Sequence, residues 1–141
     1  FLIRKRWRSC PMNRILHTML RVGDMQRSID FYIGVLGMRV LRTLEQPEER
    51  YRLTFLGYGD ESATCVLELT DNEGIASYEL GSGFGHIAIG VDDCHRACTE
   101  IKKRGGRITR EPVPLKGSNE VIAFLVDPDG YPIELIQRIT V

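Results

Sequence analysis

The sequence has no run of about 20 apolar residues, the length a helix needs to cross a bilayer, which excludes a helical membrane span. It also lacks net charge, since 19 Lys and Arg balance 19 Asp and Glu, and its pI is near 7.0. That balance removes the basic footprint by which nucleic-acid binders meet phosphate. Cysteine is sparse, with four in 141 residues (Cys10, Cys65, Cys94, Cys98) and no C-x-x-C pair. This is no disulfide framework, and a reducing cytoplasm is the expected location. The basic opening Phe1-Leu2-Ile3-Arg4-Lys5-Arg6-Trp7-Arg8 has neither the apolar stretch nor the small-residue cleavage site of a secretory signal. Residues 1–12 are read as an extension without a role in the fold.

What the chain does have is a repeat. Leu16-His17-Thr18-Met19-Leu20-Arg21-Val22-Gly23-Asp24 corresponds to Gly85-His86-Ile87-Ala88-Ile89-Gly90-Val91-Asp92-Asp93, and His17 to His86 is an offset of 86 − 17 = 69. Val22/Val91, Gly37/Gly106 and Phe55-Leu56/Phe124-Leu125 keep that offset. Each copy ends with an acid inside an apolar run, Glu68 in Val66-Leu67-Glu68-Leu69 and Glu134 in Ile133-Glu134-Leu135-Ile136. The glutamates are offset by 66, three fewer, and the shortening is assigned to the loop of the last hairpin.

Local patterns give each copy the same elements. Residues 15–22 alternate as a strand, with His17, Met19 and Arg21 on one side. Asp24 caps a helix in which Ile29, Tyr32, Ile33 and Leu36 recur, and Gly37 ends it. Strands are predicted at Arg39–Thr43, Arg50–Leu56 and Ala63–Thr70, the last placing Cys65 on the core face with Leu67. In the second copy a strand at 86–91 leads to Asp93 as cap, a helix burying Cys94, Ala97, Cys98 and Ile101, and a stop at Gly105-Gly106. Strands follow at Arg107–Arg110, Val121–Val126 and Tyr131–Gln137, with the turn Asp127-Pro128-Asp129-Gly130 before the last. The fold class is therefore α+β, two βαβββ modules made by internal duplication, spanning 13–74 and 75–141 within one compact domain.

A lone strand histidine is usually satisfied by a neighbour or solvent, and a strand glutamate is often paired with arginine. Four such residues at repeated positions read differently. His17, Glu68, His86 and Glu134 can converge on a concave sheet face, where imidazole and carboxylate suit a divalent transition metal with open positions.

Several blocks carry a resemblance. His17-Thr18-Met19-Leu20-Arg21-Val22-Gly23-Asp24, Ser28-Ile29-Asp30-Phe31-Tyr32, Val35-Leu36-Gly37-Met38, Phe55-Leu56-Gly57-Tyr58-Gly59, Glu68-Leu69-Thr70, Gly85-His86-Ile87-Ala88 and Asp127-Pro128-Asp129-Gly130-Tyr131 resemble the glyoxalase I (lactoylglutathione lyase) family, bacterial type. The likeness runs from about residue 13 to 138. It implies the vicinal-oxygen-chelate fold and a homodimer in which each metal site takes one His/Glu pair from each chain. His17 at the first ligand position implies nickel first, cobalt second, with zinc possible.

The implied reaction converts the methylglyoxal–glutathione hemithioacetal to S-D-lactoylglutathione by proton transfer through an enediolate, with Glu134 as base and Glu68 its near-symmetric counterpart. Arg21 and Asn72 match glutathione contacts of the family, and Lys116 is a further candidate for a substrate carboxylate. Glu73 departs from the aromatic residue common at its position and adds negative charge near an anionic tripeptide. The same fold hosts other functions, so two rivals stand beside the lyase: a metal-dependent acyl-thioester epimerase, and a protein that sequesters small molecules without catalysis. An extradiol dioxygenase needs two histidines and one carboxylate on iron, and the matched His/Glu pairs disfavour it.

Overall fold

A computed structural model describes residues 13–138, so the reading of residues 1–12 lies outside the described residues. The first module contains β1 (His17–Arg21), α1 (Met25–Gly34), β2 (Arg39–Gln46), β3 (Tyr51–Gly57) and β4 (Val66–Asn72). The second contains β5 (Ile87–Val91), α2 (Cys94–Lys103), β6 (Arg107–Pro114), β7 (Val121–Val126) and β8 (Pro132–Gln137). Each forms a four-stranded sheet in the same order, β1-β4-β3-β2 and β5-β8-β7-β6. β1 and β4 run parallel, as do β5 and β8, and the other neighbours are antiparallel.

Capping repeats as well. Asp24 accepts from the Arg27 backbone N–H and Asp93 from that of Arg96, each at 3.0 Å, satisfying donors the first helical turn leaves free. Gly37 takes a left-handed conformation, φ +73°, just past α1. The three-residue slip between copies lies where expected: eight residues (58–65) join β3 to β4 and five (127–131) join β7 to β8.

Three local expectations change. In α1 the fully buried residues are Met25, Ser28 and Tyr32, whereas Ile33 is 41% exposed. The helix turns its small polar Ser28 inward because the other module supplies an acceptor there. Cys65 precedes β4 and is exposed, not on the core face. β6 continues to Pro114, and its register shifts between Ile108 and Arg110 and again before Val113, which erases the two-residue period. As an edge strand it also accommodates Pro114.

The two modules share one core. Leu20, Val22, Tyr32, Leu56 and Leu69 belong to the same buried cluster as Cys94, Ile101, Leu125, Ile133 and Leu135. Each fully buried leucine contributes about 1.5–3 kcal/mol of transfer free energy. Burial pushes the Cys94 thiol up to about 11, consistent with a packing role rather than a reactive one.

Polar contacts fasten the Asp127–Gly130 turn to the first module. The Tyr32 hydroxyl donates to Asp127 at 2.7 Å, while Asp129 accepts from the Gly23 N–H at 2.9 Å, the Ser28 hydroxyl at 3.2 Å and Arg27 at 3.1 Å. Tyr131 donates its hydroxyl to the Arg21 carbonyl at 2.7 Å, which ties the end of β1 to the same turn.

The backbone of the connection between modules packs against Gly23. A Cβ built there would lie 2.0 Å from the Ala76 carbonyl oxygen and 2.7 Å from its carbon, both backbone atoms. Gly23→Ala is therefore expected to cost about 1–3 kcal/mol, read as a lowered thermal midpoint.

Candidate metal centre

The parallel pairing of β1 with β4 places His17 opposite Val66 and Met19 opposite Glu68, so His17 and Glu68 share one face, one step apart. His17 Nε2 lies 2.7 Å from Glu68 Oε2. The second module repeats this: Ala88 faces Glu134 across β5 and β8, and His86, just ahead of β5, has its Nε2 3.0 Å from Glu134 Oε2. The imidazoles are 39% and 41% exposed while the carboxylates are 11% and 13% exposed. Each glutamate is thus nearly enclosed, with an open side where its histidine stands.

These pairs suit a shared ion. Two donors about 2.1 Å from a metal and at right angles to one another are about 3 Å apart, close to both N–O separations. Neutral imidazole nitrogen with carboxylate oxygen is a donor set for nickel, cobalt or zinc rather than for magnesium or calcium. Within the chain the four residues form two separate pairs. His17 and Glu68 stand on the first sheet and His86 and Glu134 on the second, and among the described residues no group of three or more His, Cys, Asp and Glu forms. The cause is topological, because each module forms its own four-stranded sheet and supplies two of the donors.

Around Glu68 the first sheet carries further candidates. Arg21, Glu68, Thr70 and Asn72 line an open depression of about 260 Å³ with Met19, Tyr51 and Leu53. Asn72 donates its side-chain N–H to the Tyr78 hydroxyl at 3.1 Å, which leaves its amide oxygen free to accept. Lys116 lies in the turn between β6 and β7, on the second module, and does not line this depression. Glu73 is paired: Arg50 reaches its two oxygens at 3.3 Å each. Glu73 lies in the turn just past β4 and is not among the residues that line the depression.

Sequence reasoning passed over the aromatic neighbours of the histidines. Phe55 stands opposite Glu68 and Phe124 opposite Glu134, and each ring meets its histidine nearly perpendicularly, at 5.7 Å and 5.4 Å between centroids. The signal was present, since these phenylalanines keep the 69-residue offset. Arg42, paired with Glu61 at 2.8 Å, lies 3.7 Å above the Phe55 ring, and that hydrogen bond raises its pKa. A separate apolar cavity of about 420 Å³, lined in part by Thr18, Leu56, Leu67, Ile87, Ile89 and Ile133, contains no histidine or carboxylate.

Comparison with known proteins agrees with this architecture. The model of the Glyoxalase/Bleomycin resistance protein/Dioxygenase superfamily matches residues 14–135. The chain is 60% identical over 125 residues to lactoylglutathione lyase of Escherichia coli O157:H7, covering 89% of this chain and 93% of that protein. It is 54% identical over 125 residues to lactoylglutathione lyase of Neisseria meningitidis, covering 89% and 91%. Among solved structures, glyoxalase I from Zea mays superposes with a TM-score of 0.86 at 50% identity, covering 90% of this chain but only 45% of the maize chain. The chain thus spans less than half the length of that relative. Glyoxalase I of Leishmania major, described as trypanothione-dependent, matches with a TM-score of 0.80 at 49% identity, covering 89% and 87%. An antibiotic-binding protein from Streptomyces, 19% identical with a TM-score of 0.69 over 92% of this chain and 98% of its own, shares the fold alone. By the span of the family match and the identity to these relatives, the chain belongs to the Glyoxalase/Bleomycin resistance protein/Dioxygenase superfamily.

Proposed function

We propose that this protein is a metal-dependent lactoylglutathione lyase that isomerises the methylglyoxal–glutathione hemithioacetal to S-D-lactoylglutathione, detoxifying methylglyoxal. The observation that carries this reading is the pair of matched half-sites, His17 with Glu68 at 2.7 Å and His86 with Glu134 at 3.0 Å, each on an open sheet face. His17, Glu68, His86 and Glu134 hold the ion, nickel by preference and cobalt next, with zinc possible. A homodimer brings the first half-site of one chain to the second half-site of its partner. Two donors per module and their location on separate sheets support that assembly. Free, buried Cys94 and Cys98 fit a reducing cytoplasm.

When bound, the ion supplies Lewis-acid polarisation of the substrate's two vicinal oxygens. Arg21 and Asn72 hold the anionic glutathione beside Glu68, the guanidinium by charge and the amide oxygen by accepting a peptide N–H. Lys116 offers a second cation to a substrate carboxylate. Glu134 takes the proton from the carbon beside the carbonyl and returns it to the neighbouring carbon, and Glu68 is its near-symmetric counterpart in the stereochemically opposite proton transfer. Enclosure of both carboxylates limits loss of that proton to water.

The test uses metal-stripped protein given nickel, cobalt or zinc separately, with thioester absorbance followed after methylglyoxal and glutathione are mixed. Turnover is expected with nickel above the others and none without metal. Folded dimer that stays inactive with every ion would overturn the lyase, and binding of the adduct without turnover would favour the sequestering alternative.

A further inference from the structure

We propose that Phe55 and Phe124 are positioning residues that set the imidazole orientations of His17 and His86 for metal binding. This role rests on the metal-dependent reading above and extends it to residues that donate nothing to the ion.

A histidine ring turns about a broad, two-fold torsion, so its backbone alone does not decide where Nε2 points. A ligating histidine normally has its second nitrogen held by a carboxylate, carbonyl or water. Here the described contacts of each imidazole are its glutamate and its phenylalanine. Both rings are about two-fifths exposed, so general packing does not hold them either.

The phenylalanines are placed to do so. The interplanar angles are 78° for His17–Phe55 and 84° for His86–Phe124, the edge-to-face arrangement that ring quadrupoles favour. Rotating either imidazole would lose that contact and swing Nε2 away from the carboxylate. Phe55 is itself fixed, only 4% exposed and covered by the Arg42 guanidinium at 3.7 Å. Register ties the three parts together, because each phenylalanine stands directly opposite its glutamate on the next strand. The positions before each phenylalanine and after each histidine differ between copies, Leu53-Thr54 against Ile122-Ala123 and Thr18-Met19 against Ile87-Ala88, while His, Glu and Phe stay the same, as do the core leucines Leu56/Leu125 and Leu69/Leu135. The unit built twice is therefore a triad of two donors and one aromatic brace.

The experiment loads metal-free protein with Co²⁺, without substrate, and reads the visible ligand-field bands and the dissociation constant. Phe55→Leu and Phe124→Leu are each expected to weaken cobalt binding about tenfold and shift the bands, lowering kcat more than they change KM. Phe124→Tyr keeps the ring and is expected to restore both readouts. If Phe55→Leu fails to fold, Phe124→Leu at its partly exposed position decides the matter. Leu variants with the unsubstituted spectrum and affinity would overturn the role, whatever their turnover, since a residue that only lines the substrate space leaves substrate-free cobalt unmoved. Failure of the unsubstituted protein to take up cobalt would overturn the metal reading first, and this role with it.

Discussion

Glu134→Gln is expected to lower turnover of the hemithioacetal by about a thousandfold, within the range general-base removal produces, while the protein still binds metal. The amide keeps the volume and one donor oxygen of the carboxylate but cannot accept the proton. The proposed choice of Glu134 rather than Glu68 as the preferred base is supported by their surroundings. Glu68 shares its surroundings with Arg21 and Asn72, groups suited to the thiol's tripeptide, and stands 2.7 Å from its histidine. Glu134 has Pro132 and Ile136 on its own strand face, Ala88 and Phe124 on the neighbouring strands, and a longer 3.0 Å contact to His86. With no cation or amide beside it in that set, it is the freer of the two to loosen and move a proton. Glu68→Gln is expected to lose less. The check is a steady-state thioester assay beside metal analysis of each variant, and unchanged turnover in metal-loaded Glu134→Gln would refute the assignment.

The second large effect is on stability. Asp127→Ala is expected to destabilise the fold by about 3–5 kcal/mol, because several donors lose one buried acceptor together. Asp127 is 4% exposed and accepts from the Tyr32 hydroxyl at 2.7 Å and from the Asp129 and Tyr131 N–H groups at 2.9 Å each. Alanine would leave those donors with neither partner nor water. For a chain of this size the thermal midpoint should fall by about 10 °C or more. Tyr32→Phe, which removes one donor along with its need, should cost much less. Equal losses in both variants, measured by thermal unfolding, would show that the tyrosine contact rather than the turn carries the stability.

Much of this was legible in the chain because duplication writes every signal twice. Paired caps at Asp24 and Asp93, and the repeated His, Phe and Glu positions, carry the element order and the pairing of each histidine with its glutamate. What local periodicity could not supply was the effect of one module on the other. Ser28 is buried in α1 because Asp129, 101 residues away, accepts its hydroxyl, and no helical pattern predicts that exchange with Ile33. Bulges hid the length of β6 for a related reason, since register shifts break alternation without ending the strand. Equivalence in a repeat places the two His/Glu pairs on matching sheets rather than on one. Glu73 shows the reverse case: its charge looked misplaced in sequence until Arg50 was found beside it.

The turn at Asp127–Gly130 has a consequence for how such a protein comes into being. Its contacts with Tyr32, Gly23, Ser28, Arg27 and Arg21 join residues 95 to 110 positions apart. Contacts of that span form only once most of the chain has been made, and they slow folding relative to local pairing. During synthesis the Tyr32 hydroxyl and the Gly23 amide therefore meet water rather than their aspartate acceptors until the turn before β8 has been made. The halves repeat one plan of elements, yet the core and this turn are held in common between them.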